Sequence, residues 1–279
     1  MDWYWILAIL LASLLLALFL IYLFLVAPGK RRREMDRFKT VRFAHRGLHG
    51  AGIAENSISA FRAAVEAGFG IELDVRLSSD GELVVFHDDT LDRVTDSTGR
   101  VDEKSAEELS QIKLCGTDDC VPTFTQVLEL VDGRVPLLVE IKERAGEYGV
   151  TQKTIELLRE YKGEFIVESF NPLALALVKE EMPEVLRGFL STNFSKDEKY
   201  KGQAQYFFLE HMLFNFLARP DFISYDHKAY KNSSLRFVRS FFKAATICWT
   251  VTSREDEELA YEHGFDGVIF ENYIPEEKR

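Results

Sequence analysis

Charge is absent from Trp3 to Gly29, and cysteine is scarce throughout, with three in 279 residues. An odd, small number of cysteines excludes a disulfide framework and suits a reducing compartment. Cys115 and Cys120 flank Gly-Thr-Asp-Asp, but no second Cys or His pair completes a metal knuckle, so this stretch reads as a loop. An excess of positive charge is also lacking. Asp and Glu number 45 against 34 Lys and Arg, a net charge of −11. That balance argues against a nucleic-acid partner. No internal repeat and no low-complexity tract occurs outside the uncharged segment.

What the chain does have begins with that segment. About 20 apolar residues suffice for a helix to cross a bilayer core, and the run from Trp3 to Gly29 is longer. Trp3, Tyr4 and Trp5 match the aromatic belt of a membrane interface. A cleaved signal peptide would need a basic leader and a shorter apolar core, and the leader here is Met1-Asp2. Residues 1–29 are therefore expected to form a transmembrane anchor. Lys30, Arg31, Arg32, Arg33, Arg37, Lys39 and Arg42 all follow it. By the positive-inside rule, this places the rest of the chain in the cytoplasm, as a single-pass protein of the cell membrane. Residues 30–39 read as a basic juxtamembrane linker, which serves as a stop-transfer flank and is suited to touching anionic head groups.

The remaining residues, 40–279, have the size of one (β/α) barrel or one large α/β domain. Short apolar runs alternate with amphipathic ones. Strands are expected at 41–44, 71–77, 83–86, 137–141, 165–167, 186–190, 222–225, 246–251 and 267–270. Between them, Ile58, Phe61 and Val65 make one helix face, with Ser57 or Asn56 placed to cap it and Gly68 to end it. Such alternation implies a parallel sheet with helices outside. Nine strands is one too many for an eight-fold barrel. Ser79-Asp80-Gly81 explains the surplus: it is a turn signal, and the connection around it is too short for a crossover helix. Folding back there brings Asp74 opposite His87. The polar interval 91–122 reads as an insertion over the C-terminal barrel face. The aromatic run from Tyr206 to Leu217 reads as a core helix, with a membrane-facing or dimer surface as the alternative.

Ionisable residues collect where the apolar strands end. His45 and Arg46 follow the first strand, Glu72 and Asp74 lie on one face of the second, His87 follows the third, and Glu140 and Lys142 share a face of the fourth. In a parallel barrel the active site lies at this rim. Three carboxylates without cysteine suit a hard divalent cation, Mg²⁺ or Ca²⁺. Arg46 and Lys142 suit an anionic substrate, and His45 and His87 suit the giving and taking of protons near neutral pH. Salt bridges to Arg46 or Lys142 would account for Glu72 and Asp74 alone but leave both histidines unexplained. Together the set describes phosphodiester cleavage, by water or through a cyclic phosphate. Glu55, Asn56 and Trp249 are secondary candidates: Asn56 is also explained by helix capping, and Trp249 is either an apolar wall for the substrate or a core residue. His49 reads as a surface-loop residue.

The segments AHRGLHG, AENSISAF, GIELDVRLSSDGELVVFHDDTLDRVTDSTG, VPTF, LLVEIK, IVESF, CWTV and GFDGVIF, in this order, resemble the glycerophosphodiester phosphodiesterases over essentially everything after the uncharged segment. The resemblance implies a TIM (β/α)8-type barrel with a small insertion after the third strand, preceded by one N-terminal transmembrane helix. It also implies that Glu72, Asp74 and Glu140 bind the divalent ion, that His45 and His87 are general acid and base, and that Arg46 and Lys142 hold the phosphate. Members hydrolyse glycerophosphodiesters to glycerol 3-phosphate and an alcohol. Ala54 departs from the family's Pro, Thr252 from its Asn, and Phe270-Glu271-Asn272 from its Thr-Asp, which bears on substrate contacts. Two other readings stand beside this one. The first is a lysophospholipase D-like phosphodiesterase acting on lysolipids; the second is a non-catalytic, membrane-tethered binding barrel. Oligomeric state is not legible.

Overall fold

The computed structural model describes residues 3–276. Met1 and Asp2 of the expected anchor, and residues 277–279 of the expected barrel, lie outside the described residues. Nine strands form: β1 (Arg42–Ala44), β2 (Gly70–Leu77), β3 (Leu83–Val85), β4 (Leu137–Ile141), β5 (Phe165–Ser169), β6 (Arg187–Ser191), β7 (Phe222–Asp226), β8 (Ala245–Val251) and β9 (Gly267–Phe270). Their order is β1-β9-β8-β7-β6-β5-β4-β2-β3, and a β1–β2 pairing closes the ring. All pairs within the ring are parallel, whereas β3 alone runs antiparallel, against β2. The result is an eight-stranded TIM-type barrel with one additional strand folded back outside it.

That extra strand begins at the expected turn, where Gly81 takes φ +84°, a conformation that costs glycine little. Val75 pairs with Val85, and Phe86 N–H donates to the Asp74 carbonyl at 3.0 Å. His87 therefore follows the position opposite Asp74 by one residue. The 91–122 insertion, which follows β3, contains a short helix at Ala106–Leu109. Leu91, Val101, Leu109, Leu114 and Val121 bury themselves with Val84 and Phe86 in a small core of their own.

Alternation along the strands separates two environments. Ile71, Leu73 and Val75 join Leu137, Val139 and Ile141 against the helices outside. The intervening side chains point into the barrel, and those near the strand starts are apolar: Phe43, Leu138, Ile166, Phe222 and Ile247 pack there. Gly188 makes room for this layer, since a Cβ there would meet the Phe222 ring at 2.1 Å. Met35 and Phe38, both fully buried, close the same layer from below. The segment expected to be a linker is thus the barrel floor.

The N-terminal helix Trp3–Val26 is long and apolar enough to cross a membrane. Its last turn is docked: Val26 is buried with Leu175, Met212 and Ala218, and its carbonyl accepts from Asn215 Nδ2 at 2.9 Å. Just beyond, the Arg31 guanidinium grips Asp221 at 2.9 and 2.5 Å. It also donates to the carbonyls of Pro183, Glu184 and Val185, each at 2.7 Å. Arg37 pairs with Glu164 at 2.9 Å and Arg42 with Glu257 at 2.7 Å. Much of the basic run thus contacts protein. The aromatic run 206–217 does not form one core helix. It breaks into Ala204–Glu210 and Asn215–Ala218, and Phe207 and Phe208 are exposed.

Candidate active site

At the C-terminal ends of the strands the barrel interior turns polar. Asp74 lies beside Glu140 in the β2–β4 register, and Glu140 beside Glu168 in β4–β5. Glu72, Asp74 and Glu140 are buried, and each places a carboxylate oxygen within 4.8 Å of the others. Lys142 Nζ reaches Asp74 at 3.0 Å and Glu140 at 2.6 Å. Arg46 donates its backbone N–H to Glu72 at 2.9 Å, its Nη1 to Glu55 at 2.7 Å, and approaches Asp74 with Nε at 3.5 Å. The expected carboxylates and cations therefore meet in one place.

These neighbours leave the charges unbalanced. Burial, reinforced by Asp74, Glu140 and Glu168, holds the Glu72 carboxyl well above its usual range. Burial also pushes Glu140 up to about 7, with Lys142 opposing and Asp74 adding to the rise. Asp74 goes the other way: burial works against its charge, but Lys142, His87, Arg46 and a hydrogen bond from Asn56 prevail. Lys142 and Arg46 are raised despite burial, through Asp74 and their other carboxylate partners. Two carboxyls that resist ionising beside one that is fully ionised mark a cluster short of positive charge. An oxygen-only donor set with that deficit fits a hard divalent cation.

Both expected histidines carry a carboxylate at Nδ1. His45, directly after β1, meets Glu271 Oε2 at 2.5 Å, and His87 meets Asp88 Oδ1 at 2.6 Å. Burial, with Lys142 and Arg46, lowers His87 to about 4, against the pull of Asp74 and Asp88. Arg76 clamps the His87 carbonyl through Nε and Nη2 at 2.9 and 2.6 Å. A chain of ion pairs links the two sides: Arg93 binds Asp88 at 2.5 Å and Glu55 at 2.6 Å, and Glu55 binds Arg46. Arg46 and Asn56 both adopt positive φ, +54° and +52°. Left-handed backbone at non-glycine residues is sparsely populated and clusters at functional sites.

Asn56 is not the helix cap. Ser57 caps Ile58–Ala67 by accepting from Ala60 N–H, which frees Asn56 Nδ2 to donate to Asp74 at 2.8 Å. His49 is not a surface residue either; it lies 3.9 Å from Glu271. Trp249 meets Phe170 edge-on at 5.8 Å, and its Nε1 has no hydrogen-bond partner. A cavity of about 410 Å³ opens from Glu140 and Lys142 toward Phe170, Phe194, Tyr200 and Tyr206. Sequence reasoning gave no role to Glu271, Asp88, Arg93 or Glu168. The only signal for Glu271 was its departure from the family pattern.

The model of the glycerophosphoryl diester phosphodiesterase family matches residues 45–274. A glycerophosphodiester phosphodiesterase of Caldanaerobacter subterraneus subsp. tengcongensis is 32% identical over 246 residues, covering 83% of this chain and 93% of the relative. Among solved structures, the glycerophosphodiester phosphodiesterase of Thermotoga maritima is similar with a TM-score of 0.63 at 29% identity, over 82% of this chain and 94% of that one. A phosphodiesterase of Oleispira antarctica, in complex with the product sn-glycerol-3-phosphate, gives a TM-score of 0.70 at 24% identity, over 84% of this chain and 94% of its own.

Proposed function

The chain belongs to the glycerophosphodiester phosphodiesterase family and is a phosphoric diester hydrolase; from that premise we propose that it cleaves glycerophosphodiesters to sn-glycerol 3-phosphate and an alcohol at the Glu72–Asp74–Glu140 rim. The carrying observation is that buried triad, short of positive charge and flanked by two histidines that each hold a carboxylate at Nδ1. The product bound in the Oleispira structure supports the same assignment.

Glu72, Asp74 and Glu140 would hold Mg²⁺ or Ca²⁺. When bound, such an ion supplies charge stabilisation to the phosphoryl oxygens. Arg46 offers its guanidinium to the same oxygens, while Lys142 offsets the triad and faces the phosphate from beside it. His87, held neutral at pH 7 by burial and its cationic neighbours, takes a proton from the nucleophile. Asp88 engages its Nδ1 and leaves Nε2 for that work. His45, fixed in the same way by Glu271, gives a proton to the leaving alkoxide. Purified protein supplied with a panel of glycerophosphodiesters and lysophospholipids, with and without chelator, tests the reading. Metal-dependent release of glycerol 3-phosphate is expected, and no release from any substrate overturns it.

A second substrate class has one observation in its favour. Phe170, Phe194, Tyr200 and Tyr206 extend the cavity beyond the polar rim, and Tyr206 belongs to the aromatic run. An acyl chain fits such a wall, so lysolipids belong in the panel. We read the N-terminal helix as a membrane anchor with the barrel in the cytoplasm, supported by its length and by the basic run after it. Glu276→Cys should resist an impermeant thiol reagent in intact cells. Labelling there places the barrel outside.

A further inference from the structure

Aromatic residues gather on both sides of the foot of the N-terminal helix, some part-buried and some exposed. Tyr22 meets Phe237 at 5.2 Å and Phe24 meets Phe216 at 5.6 Å. Phe237 stacks on Phe241 at 5.2 Å. On the other side Phe214 meets Phe208 at 5.5 Å, and Phe208 meets Phe207 at 6.0 Å. Phe207, Phe208 and Phe241 are 58%, 39% and 55% exposed. Singly exposed apolar side chains need no explanation, whereas a set gathered around an apolar helix does.

Charge on the same surface is one-sided. Between His227 and Arg254 the chain carries five Lys and Arg residues and no Asp or Glu, within a protein of net charge −11. Helix Ser233–Phe242 turns Phe237 and Phe241 to one side and Arg236 and Arg239 to another. A cleft of about 650 Å³ lies between that helix and the Gly264 loop, lined by Lys231, Arg236, Arg239, Lys243 and one carboxylate, Asp266. Asp266 is engaged by Thr246 N–H at 2.8 Å. Neither Arg236 nor Lys243 has a side-chain hydrogen-bond or ion-pair partner among the described residues. Aromatic rings beside unpaired cations are the composition of an interfacial membrane contact: rings enter the head-group boundary and cations meet anionic lipid.

We propose that Phe207, Phe208 and helix Ser233–Phe242 form a second membrane contact, seated on an anionic phospholipid surface beside the point where the N-terminal helix enters it. This rests on that helix spanning the bilayer. Phospholipid phosphate occupies the basic cleft, and Phe241 and Phe207 sit at the head-group level. The cavity edged by Tyr200, Tyr206 and Phe207 then opens at the lipid surface.

The test uses the full chain in nanodiscs of phosphatidylcholine with added phosphatidylglycerol. Cys115→Ser and Cys120→Ser remove the accessible native thiols. Nitroxides are then placed one at a time at Leu11→Cys, Phe207→Cys, Phe241→Cys and Glu129→Cys, the last being exposed on a helix elsewhere on the barrel. Labels at 207 and 241 should collide with lipid-soluble oxygen in preference to a water-soluble nickel chelate, as at 11 and opposite to 129. Chelate access at 207 and 241, with 11 still in lipid, overturns the contact and leaves the anchor intact. Chelate access at 11 overturns the anchor reading and the contact with it. Shielding of 207 and 241 from both reagents means a second copy covers the surface and also overturns the proposal. In Arg236→Glu/Lys243→Glu, or in phosphatidylcholine alone, the label at 241 should regain chelate access. Unchanged protection there overturns the anionic-lipid assignment.

Discussion

The floor and the rim of the barrel are made by the same strands two residues apart, and they obey opposite rules. In β4, Leu138 points into the floor and Glu140 into the rim; in β5 the pair is Ile166 and Glu168, and in β7 Phe222 and Ser224. The floor is a sealed apolar layer plugged by Met35 and Phe38. The rim keeps buried like charges close together, at a cost that only a cation or a protonation change offsets. Stability is thus concentrated at one end of the barrel and the proposed chemistry at the other. Substitutions should separate the two.

The largest separation is expected at the rim. His45→Ala or His87→Ala should each lower turnover by about 10²–10⁴-fold while leaving the melting temperature close to that of the parent chain. Near-full activity in both would end the acid–base assignment. The mirror experiment is Phe38→Ala. It should cost about 3–5 kcal/mol of stability in denaturant titration, with turnover per folded molecule unchanged. A loss of activity without a loss of stability would mean that floor and rim are not independent.

Protons sharpen the comparison next. Glu140 is raised to about 7 and Glu72 is held well above its usual range, so in chelated protein the folded state holds protons that the unfolded state releases. For such groups the stabilisation is complete below the unfolded carboxylate value and is lost as pH rises through the folded one. Chelated protein should therefore lose melting temperature between about pH 5 and 8, and added Mg²⁺ or Ca²⁺ should restore it. Cation binding must expel those protons, so affinity should weaken as pH falls below about 7. Calorimetry in buffers of different ionisation enthalpy would show the release.

A smaller effect is expected from Glu271→Gln, which keeps a hydrogen-bond partner for His45 but removes the charge. Turnover should fall less than on removal of His45, with an altered pH profile and unchanged cation affinity. An unaltered profile would reduce Glu271 to a packing role. Trp249→Phe should be the mildest, raising KM with kcat retained.

How much of this could be read in advance depended on distance along the chain. The β2 alternation, the fold-back at Gly81 and the carboxylate triad were legible because each lies in a short window with one strong period or turn signal. All nine strands fell within a residue or two of expectation. Glu271 was not legible, since its partner His45 lies 226 positions away and only barrel closure joins them. Glu168 was hidden because one carboxylate in an apolar strand reads equally well as facing solvent. Met35 and Phe38 were masked by the charges around them: two apolar residues three apart are too weak a period to outweigh a basic run. Arg31 misled for a related reason, as a guanidinium that locks onto Asp221 has the same sequence signature as one reaching for lipid.

The floor plug has a consequence for clearance. In a chain whose first helix spans a bilayer, a loose tether would let the catalytic end wander through a range of heights and tilts. Here no joint intervenes. Val26 is packed into the barrel wall, Gly29 N–H is bonded to the Pro220 carbonyl at 2.7 Å, Arg31 is clamped, and Met35 and Phe38 are sealed beneath the strands. On the proposed anchor reading, this docking sets the distance from lipid to scissile bond. Inserting a flexible spacer after Gly29 would change that reach while Arg31, Met35 and Phe38 keep the floor sealed.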